Sequence, residues 1–311
     1  MTIEPCERTL VANRLRFRAL EWEGAGASGL FVHATSFCAD GWRPVVEAAS
    51  AAIGGARSEA QPGERQERES RWLRALAIDQ RGHGGSDAPV DPAAYQWTRL
   101  AEDVAALAAA LAVEHEAAPG VVGIGHSSGA TALLAAAGMH PQRFAALIAV
   151  EPVLFEKPAR GDADSFAGSS FLATAARRRR DRFASFAEAR ERLRARPPYA
   201  GFAPAAFDAL LHGILASDGE GVMLRCTGER EACCYEGAAA LDLWPLAASI
   251  RAPLLLVLGE HSAVPPVLRD RLAATLPSVQ VVVIPGATHF AALERPSEVG
   301  AAIGNFLADF R

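Results

Sequence analysis

The sequence predicts an α/β fold: a mostly parallel sheet with helices on both faces and an inserted helical cap. Three observations predict it. Short apolar runs bounded by Gly and Asp recur along the chain, the pattern of buried parallel strands. Helical stretches rich in Ala and Leu alternate with them, as βαβ units require. An interval of roughly 153–240 breaks this alternation with several helical pieces and no clear strand.

The elements follow in order. "LRFRALEW" (15–22) alternates like an edge strand, and "LFVHA" (30–34) and "LRALAID" (73–79) are apolar runs of strand length. "VVGIG" (121–125), "AALIAV" (145–150), "APLLLVLG" (252–259) and "VQVVVIPG" (279–286) continue the series. Helices are expected over 42–52, 97–115, 129–141, 266–276 and 296–309, where apolar positions fall at three and four spacing. The core is therefore assigned to 1–152 and 241–311, and the cap to 153–240, which includes "FLATAARRRRDRFA" and "FAEARERLRAR". Residues 54–71 are charged, bear Gly and Pro, and read as a mobile surface insertion.

Composition narrows the function classes. A chain of 311 residues, half of them hydrophobic, can bury a large core. A net charge of −5 argues against a general affinity for nucleic acid or an anionic membrane. No run reaches signal-peptide or membrane-spanning length, so a soluble cytoplasmic protein is expected. Five cysteines, two of them adjacent at Cys233 and Cys234, suit neither a disulfide framework nor a metal site, and no metal or cofactor is expected.

The chemistry starts at "GIGHSSGA" (123–130). Here Gly125-His126-Ser127-Ser128-Gly129 follows a strand and opens a helix, the setting that forces a serine onto a sharp turn with its hydroxyl above the sheet. A serine hydroxyl needs a base within hydrogen-bond reach. His289, in "IPGATHFAALERPSEVG", lies in the loop after the last strand and can reach back to Ser127. The other seven histidines divide in two. His33, His83 and His126 lie in loops facing the site and shape it, whereas His115, His140, His212 and His261 have surface or packing readings. The loop "FVHATSF" (31–37) offers the Thr35 N–H to pair with that of Ser128 as an oxyanion hole.

The segments "HATSF", "DQRGHGGSD", "GHSSGA" and "PGATHFAALERPSEV" together resemble the α/β-hydrolase superfamily in order and approximate spacing. The resemblance covers nearly the whole chain outside 54–71 and the cap. It implies an eight-stranded sheet, a Ser-acid-His triad in that chain order, and a lid over the substrate pocket. Position by position it places the nucleophile at Ser127, the base at His289 and the oxyanion donors at Thr35 and Ser128, with Ala34 where glycine is more usual.

One position departs from the family. Many members carry their acid about three residues past the glycine that ends the penultimate strand, and Ser262 stands there, followed by Ala263. Glu151 and Glu260 both lie between Ser127 and His289 in loops, so either keeps the order, and a Ser-His pair without acid is the third reading. Glu151 is favoured because catalytic groups gather at the carboxyl ends of strands, where this residue caps the strand beside that of Ser127.

A serine nucleophile supports acyl-enzyme chemistry on an ester, lactone, thioester or activated amide, and an ester or lactone of a small, largely apolar molecule is the expected substrate. Carbon–carbon bond hydrolysis and perhydrolysis are variants of the same motif. A ligand sensor on the same scaffold is the alternative from another class, and the serine at 262 is its support. His33, Phe37, Trp42, His126 and Phe155 are candidate pocket residues. The arginines 177–180 are read chiefly as solvated faces and interhelix pairs, the alternative being one or two guanidiniums directed at an anionic substrate.

Overall fold

The computed structural model describes residues 4–24, 27–55, 73–116, 120–156 and 167–309. Eleven strands and eleven α-helices follow along these residues. The first half holds β1 (Cys6–Ala12), β2 (Leu15–Trp22), β3 (Ser28–Val32), α1 (Arg43–Gly55), β4 (Arg74–Ile78), α2 (Trp97–Glu114), β5 (Val121–His126), α3 (Ser128–Met139) and β6 (Phe144–Val150). An insert carries α4 (Ala167–Arg177), β7 (Arg182–Phe183), α5 (Phe186–Arg194), α6 (Pro204–Ile214), β8 (Leu215–Ser217), β9 (Val222–Leu224) and α7 (Gly228–Gly237). The chain ends with α8 (Leu243–Ala247), β10 (Leu254–Gly259), α9 (Pro266–Thr275), β11 (Val279–Ile284), α10 (Ala291–Glu294) and α11 (Pro296–Asp309).

Eight strands form one sheet in the order β1-β2-β4-β3-β5-β6-β10-β11. The β1–β2 and β2–β4 pairs are antiparallel, and the remaining pairs are parallel. Side chains alternate across a strand, so each apolar run feeds two cores. Leu30, Leu76, Leu147 and Leu256 join the cluster shared with α2 and α3. Phe31, Ala77, Ile148 and Val257 join the opposite cluster, shared with α1 and α11. Burial on both faces explains why these strands read as continuous apolar runs.

Two expectations are corrected. The segment 15–22 is not the edge: β1 pairs along its whole length and lies outside it. β1 escaped notice because its residues are only exposed or half-buried, which leaves little apolar signal. The interval 153–240 is also not purely helical, since β7, β9 and β8 form a three-stranded antiparallel sheet. Strands of two or three residues are too short to show a period of two. The proposed insertion at 54–71 falls almost wholly outside the described residues.

The insert is tied back to the core by α7. Cys234 packs beside Tyr95, and its carbonyl accepts the Trp97 indole N–H at 2.7 Å. No described helix is long and apolar enough to cross a membrane.

Candidate active site

Ser127 occupies the turn between β5 and α3 with φ 55° and ψ −123°. A non-glycine residue there carries strain of about 1–3 kcal/mol, which the surroundings must hold in place. They do so by backbone pairing. The Ser127 N–H donates to the Val150 carbonyl at 2.9 Å, and the Ser127 carbonyl accepts the Thr131 N–H at 3.1 Å. The flanking glycines permit the close approach that this turn needs: a Cβ at Gly125 would stand 2.6 Å from Ala130 Cα, and one at Gly129 would stand 2.4 Å from the His33 carbonyl oxygen.

His289, in the loop after β11, places Nε2 2.8 Å from Ser127 Oγ and Nδ1 3.3 Å from Glu151 Oε2. Glu151 follows β6 with φ 47° and is fully buried. Its Oε1 accepts the Gly259 N–H at 2.7 Å and its Oε2 the Ala263 N–H at 3.3 Å. Burial opposes ionisation of this carboxyl, but hydrogen bonds from His289, Ser262 and Gly259 outweigh it and hold the group below the usual carboxylate range. Ser262, at the position where the family pattern places the acid, thus favours the ionised form of Glu151. Glu260 points elsewhere, with its exposed carboxylate accepting the Gly286 N–H at 2.8 Å.

Two supports of His289 escaped sequence reasoning. Glu294 takes both the N–H and the hydroxyl of Thr288, at 2.7 and 2.8 Å, and so fixes the residue before His289. His126 donates from Nε2 to the His289 carbonyl at 2.8 Å. Burial and the facing His289 push the His126 pKa down to about 3, so this ring is a neutral donor. No local sequence signal marks Glu294, whereas His126 was read as a pocket residue without its contact to the His289 carbonyl.

On the oxyanion side, Thr35 and Ser128 are brought together. The Thr35 N–H donates to Ser128 Oγ at 2.9 Å, and the two hydroxyls are also 2.9 Å apart. The Thr35 N–H is therefore engaged until the Ser128 side chain turns away. Ala34 needs no glycine, because the left-handed backbone of this loop falls at Ser36, φ 73°.

The remaining candidates separate. His33 and His83 are braces: Nδ1 of each donates to a backbone carbonyl, and Nε2 of each accepts an N–H, from Gln80 and Ser36 respectively, at 3.0 Å. His33, Phe37, Trp42 and His126 line one cavity of about 10 Å³, room for about one water rather than a substrate. Phe37 also packs with Phe202 and Phe290, rings that sequence reasoning did not select. Phe155 is corrected: it packs edge-on against Trp97 in the core cluster, and its carbonyl accepts the Trp244 indole N–H at 3.0 Å. A large ring next to a strand end reads the same from sequence whether it faces core or pocket.

The buried histidines make a prediction about acid stability. Burial drives the His83 pKa down to about 4 and that of His33 well below its ordinary 6.5. With His126, three rings are neutral when folded and protonated near pH 5 when unfolded. Stability is then fully present above pH 6.5 and falls as pH drops toward the folded values, by about 1.4 kcal/mol per ring per pH unit. Urea midpoints at pH 7.0 and 5.5 should differ strongly, and equal midpoints would contradict the neutral assignment.

Comparisons with known proteins agree with this architecture. Residues 30–302 match the model of the Alpha/beta hydrolase family. The chain is 28% identical over 250 residues to 2-(acetamidomethylene)succinate hydrolase of Mesorhizobium japonicum, covering 75% of this chain and 77% of that protein. Among solved structures it resembles E-2-(acetamidomethylene)succinate hydrolase with a TM-score of 0.74 at 22% identity, over 97% of this chain and 99% of the other. A peroxisomal alpha-beta-hydrolase of Saccharomyces cerevisiae gives a TM-score of 0.75 at 21% identity, over 99% of this chain and 88% of the other. With the sheet order, the strand-turn-helix at Ser127 and a family model spanning most of its length, the chain belongs to the alpha/beta hydrolase family.

Proposed function

We propose that the protein hydrolyses an acyl bond of a small molecule through an acyl-enzyme at Ser127. The observation that carries this reading is the hydrogen-bonded chain from Ser127 Oγ through His289 to Glu151, at 2.8 and 3.3 Å. His289 Nε2 takes the hydroxyl proton as Oγ bonds to the carbonyl carbon, and Nδ1–H stays directed at Glu151. The oxyanion faces the Ser128 N–H and, once the Ser128 hydroxyl rotates, the Thr35 N–H. The same Nε2 proton then passes to the leaving group. Water activated by His289 adds to the acyl carbon and releases the acid and free Ser127.

The bond broken is an ester, a lactone or an amide. The nucleophile supports all three, and the amide gains weight because the 28% identical relative is named as a hydrolase of an acetamido compound. A slow ligand sensor is the second reading, favoured by one observation: the Thr35 N–H is already occupied by Ser128 Oγ. Multiple-turnover release of acid from p-nitrophenyl acetate and from 2-(acetamidomethylene)succinate separates the two. An enzyme turns over at least one of them many times, and Ser127→Ala lowers that rate at least about 10³-fold. Release that stops at one equivalent for both compounds favours the sensor.

A further inference from the structure

The insert holds a second concave feature. Among the described residues, a cavity of about 560 Å³ is bordered by residues between 172 and 235, none of them in the Ser127–His289–Glu151 chain or the loop carrying Thr35. Its volume is that of a small-molecule site. Among the described residues, five guanidiniums line it, from Arg178, Arg179, Arg180, Arg192 and Arg196, against one lining carboxylate, Glu231.

The charges are unevenly matched. Arg179 pairs with Glu231 at 2.6 Å and donates to the Cys226 carbonyl at 2.6 Å, while the Tyr235 hydroxyl holds the other oxygen of Glu231 at 3.0 Å. Arg180 and Arg192 share Glu188, at 3.1 and 2.8 Å. Arg178 and Arg196 have no carboxylate partner among the described residues. Clustered like charges in a concave wall focus a positive potential that an anion relieves. Guanidiniums also offer paired donors matched to carboxylate oxygens. Phe183, Leu193 and Tyr199 add apolar lining, with the Arg180 guanidinium over the Phe183 ring at 5.0 Å, and Tyr199 packs on Phe37 with ring centroids 6.5 Å apart. One aromatic layer therefore lies between the cavity and the loop of Thr35.

We infer that this cavity is a binding site for a small organic anion carrying two or more carboxylates, held by Arg178 and Arg196 and separate from the acyl-transfer centre. The inference is independent of the serine chemistry. Both arginines are exposed and have no carboxylate partner among the described residues, so their replacement is expected to leave the fold intact, which the thermal midpoint checks.

The test is calorimetric titration of the full chain with citrate, and with neutral succinamide as control. Citrate should bind saturably to wild type and equally to Ser127→Ala, and succinamide should not bind. Arg178→Gln with Arg196→Gln should weaken citrate at least about 10-fold, raising NaCl from about 50 to 500 mM should weaken it further, and the paired lysine replacements should recover part of the affinity. No saturable citrate binding by wild type would overturn the inference. So would binding indifferent to the double glutamine variant, or binding abolished by prior phosphonylation of Ser127.

Discussion

Glu151→Gln is expected to lower kcat about 10³- to 10⁴-fold while the protein stays folded. Glutamine keeps the shape of the carboxylate but not its charge, and its amide NH₂ would face the N–H groups of Gly259 and Ala263 or the ring of His289. If the carbonyl side keeps Gly259, the NH₂ faces His289 Nδ1 and favours the tautomer with the proton on Nε2, which cannot accept from Ser127. The imidazolium formed during attack also loses its anionic partner. The loss should appear in fluorophosphonate labelling of Ser127 as well as in turnover, because both depend on serine activation. Labelling at the wild-type rate in the folded variant would remove Glu151 from the proposed triad.

The second large effect is on stability. Asp79→Ala is expected to cost about 3–5 kcal/mol, read as a fall in the urea midpoint without a change in slope. Asp79 is fully buried and accepts from three groups: the Ala39 N–H at 2.7 Å, the Gly85 N–H at 2.8 Å and Arg18 Nη1 at 3.1 Å. Its loss leaves two buried N–H groups unpaired and removes one of the carboxylates beside Arg18, whose Nη1 also contacts Asp40 at 2.8 Å. Asp79 joins the turn after β4 to Ala39, just past the Thr35 loop, so activity should fall with stability. A cost below about 1 kcal/mol would mean that these donors find other partners.

What the sequence revealed depends on how local each signal is. Ser127 and His289 were legible because a strand-turn-helix and the loop after the last strand carry their own local marks. Glu151 followed from strand order: β5, β6 and β10 are neighbours, so a residue capping β6 lies between the serine turn and the loop after β10. The part played by Ser262 was not legible, since a hydroxyl in place of an acid reads as a loss until its contact with Glu151 is seen. Phe202 and Phe290 reach Phe37 only through the folded insert and the His289 loop, and sequence spacing gives no access to such contacts. The arginines 177–180 illustrate the same limit. Arg177 is paired with Glu229 and Glu236 at the surface, as a solvated helix face suggests, whereas Arg178, Arg179 and Arg180 line a cavity made with distant residues of the insert.

The central claim is that Ser127 is an activated nucleophile, and the most direct measurement is the time course of wild-type labelling by a fluorophosphonate, followed by intact mass and peptide mapping. The account predicts a single rapid addition, mapped to Ser127 and absent from Ser127→Ala. A wild-type protein that stays unlabelled, or is labelled at another residue while Ser127 remains free, would contradict it.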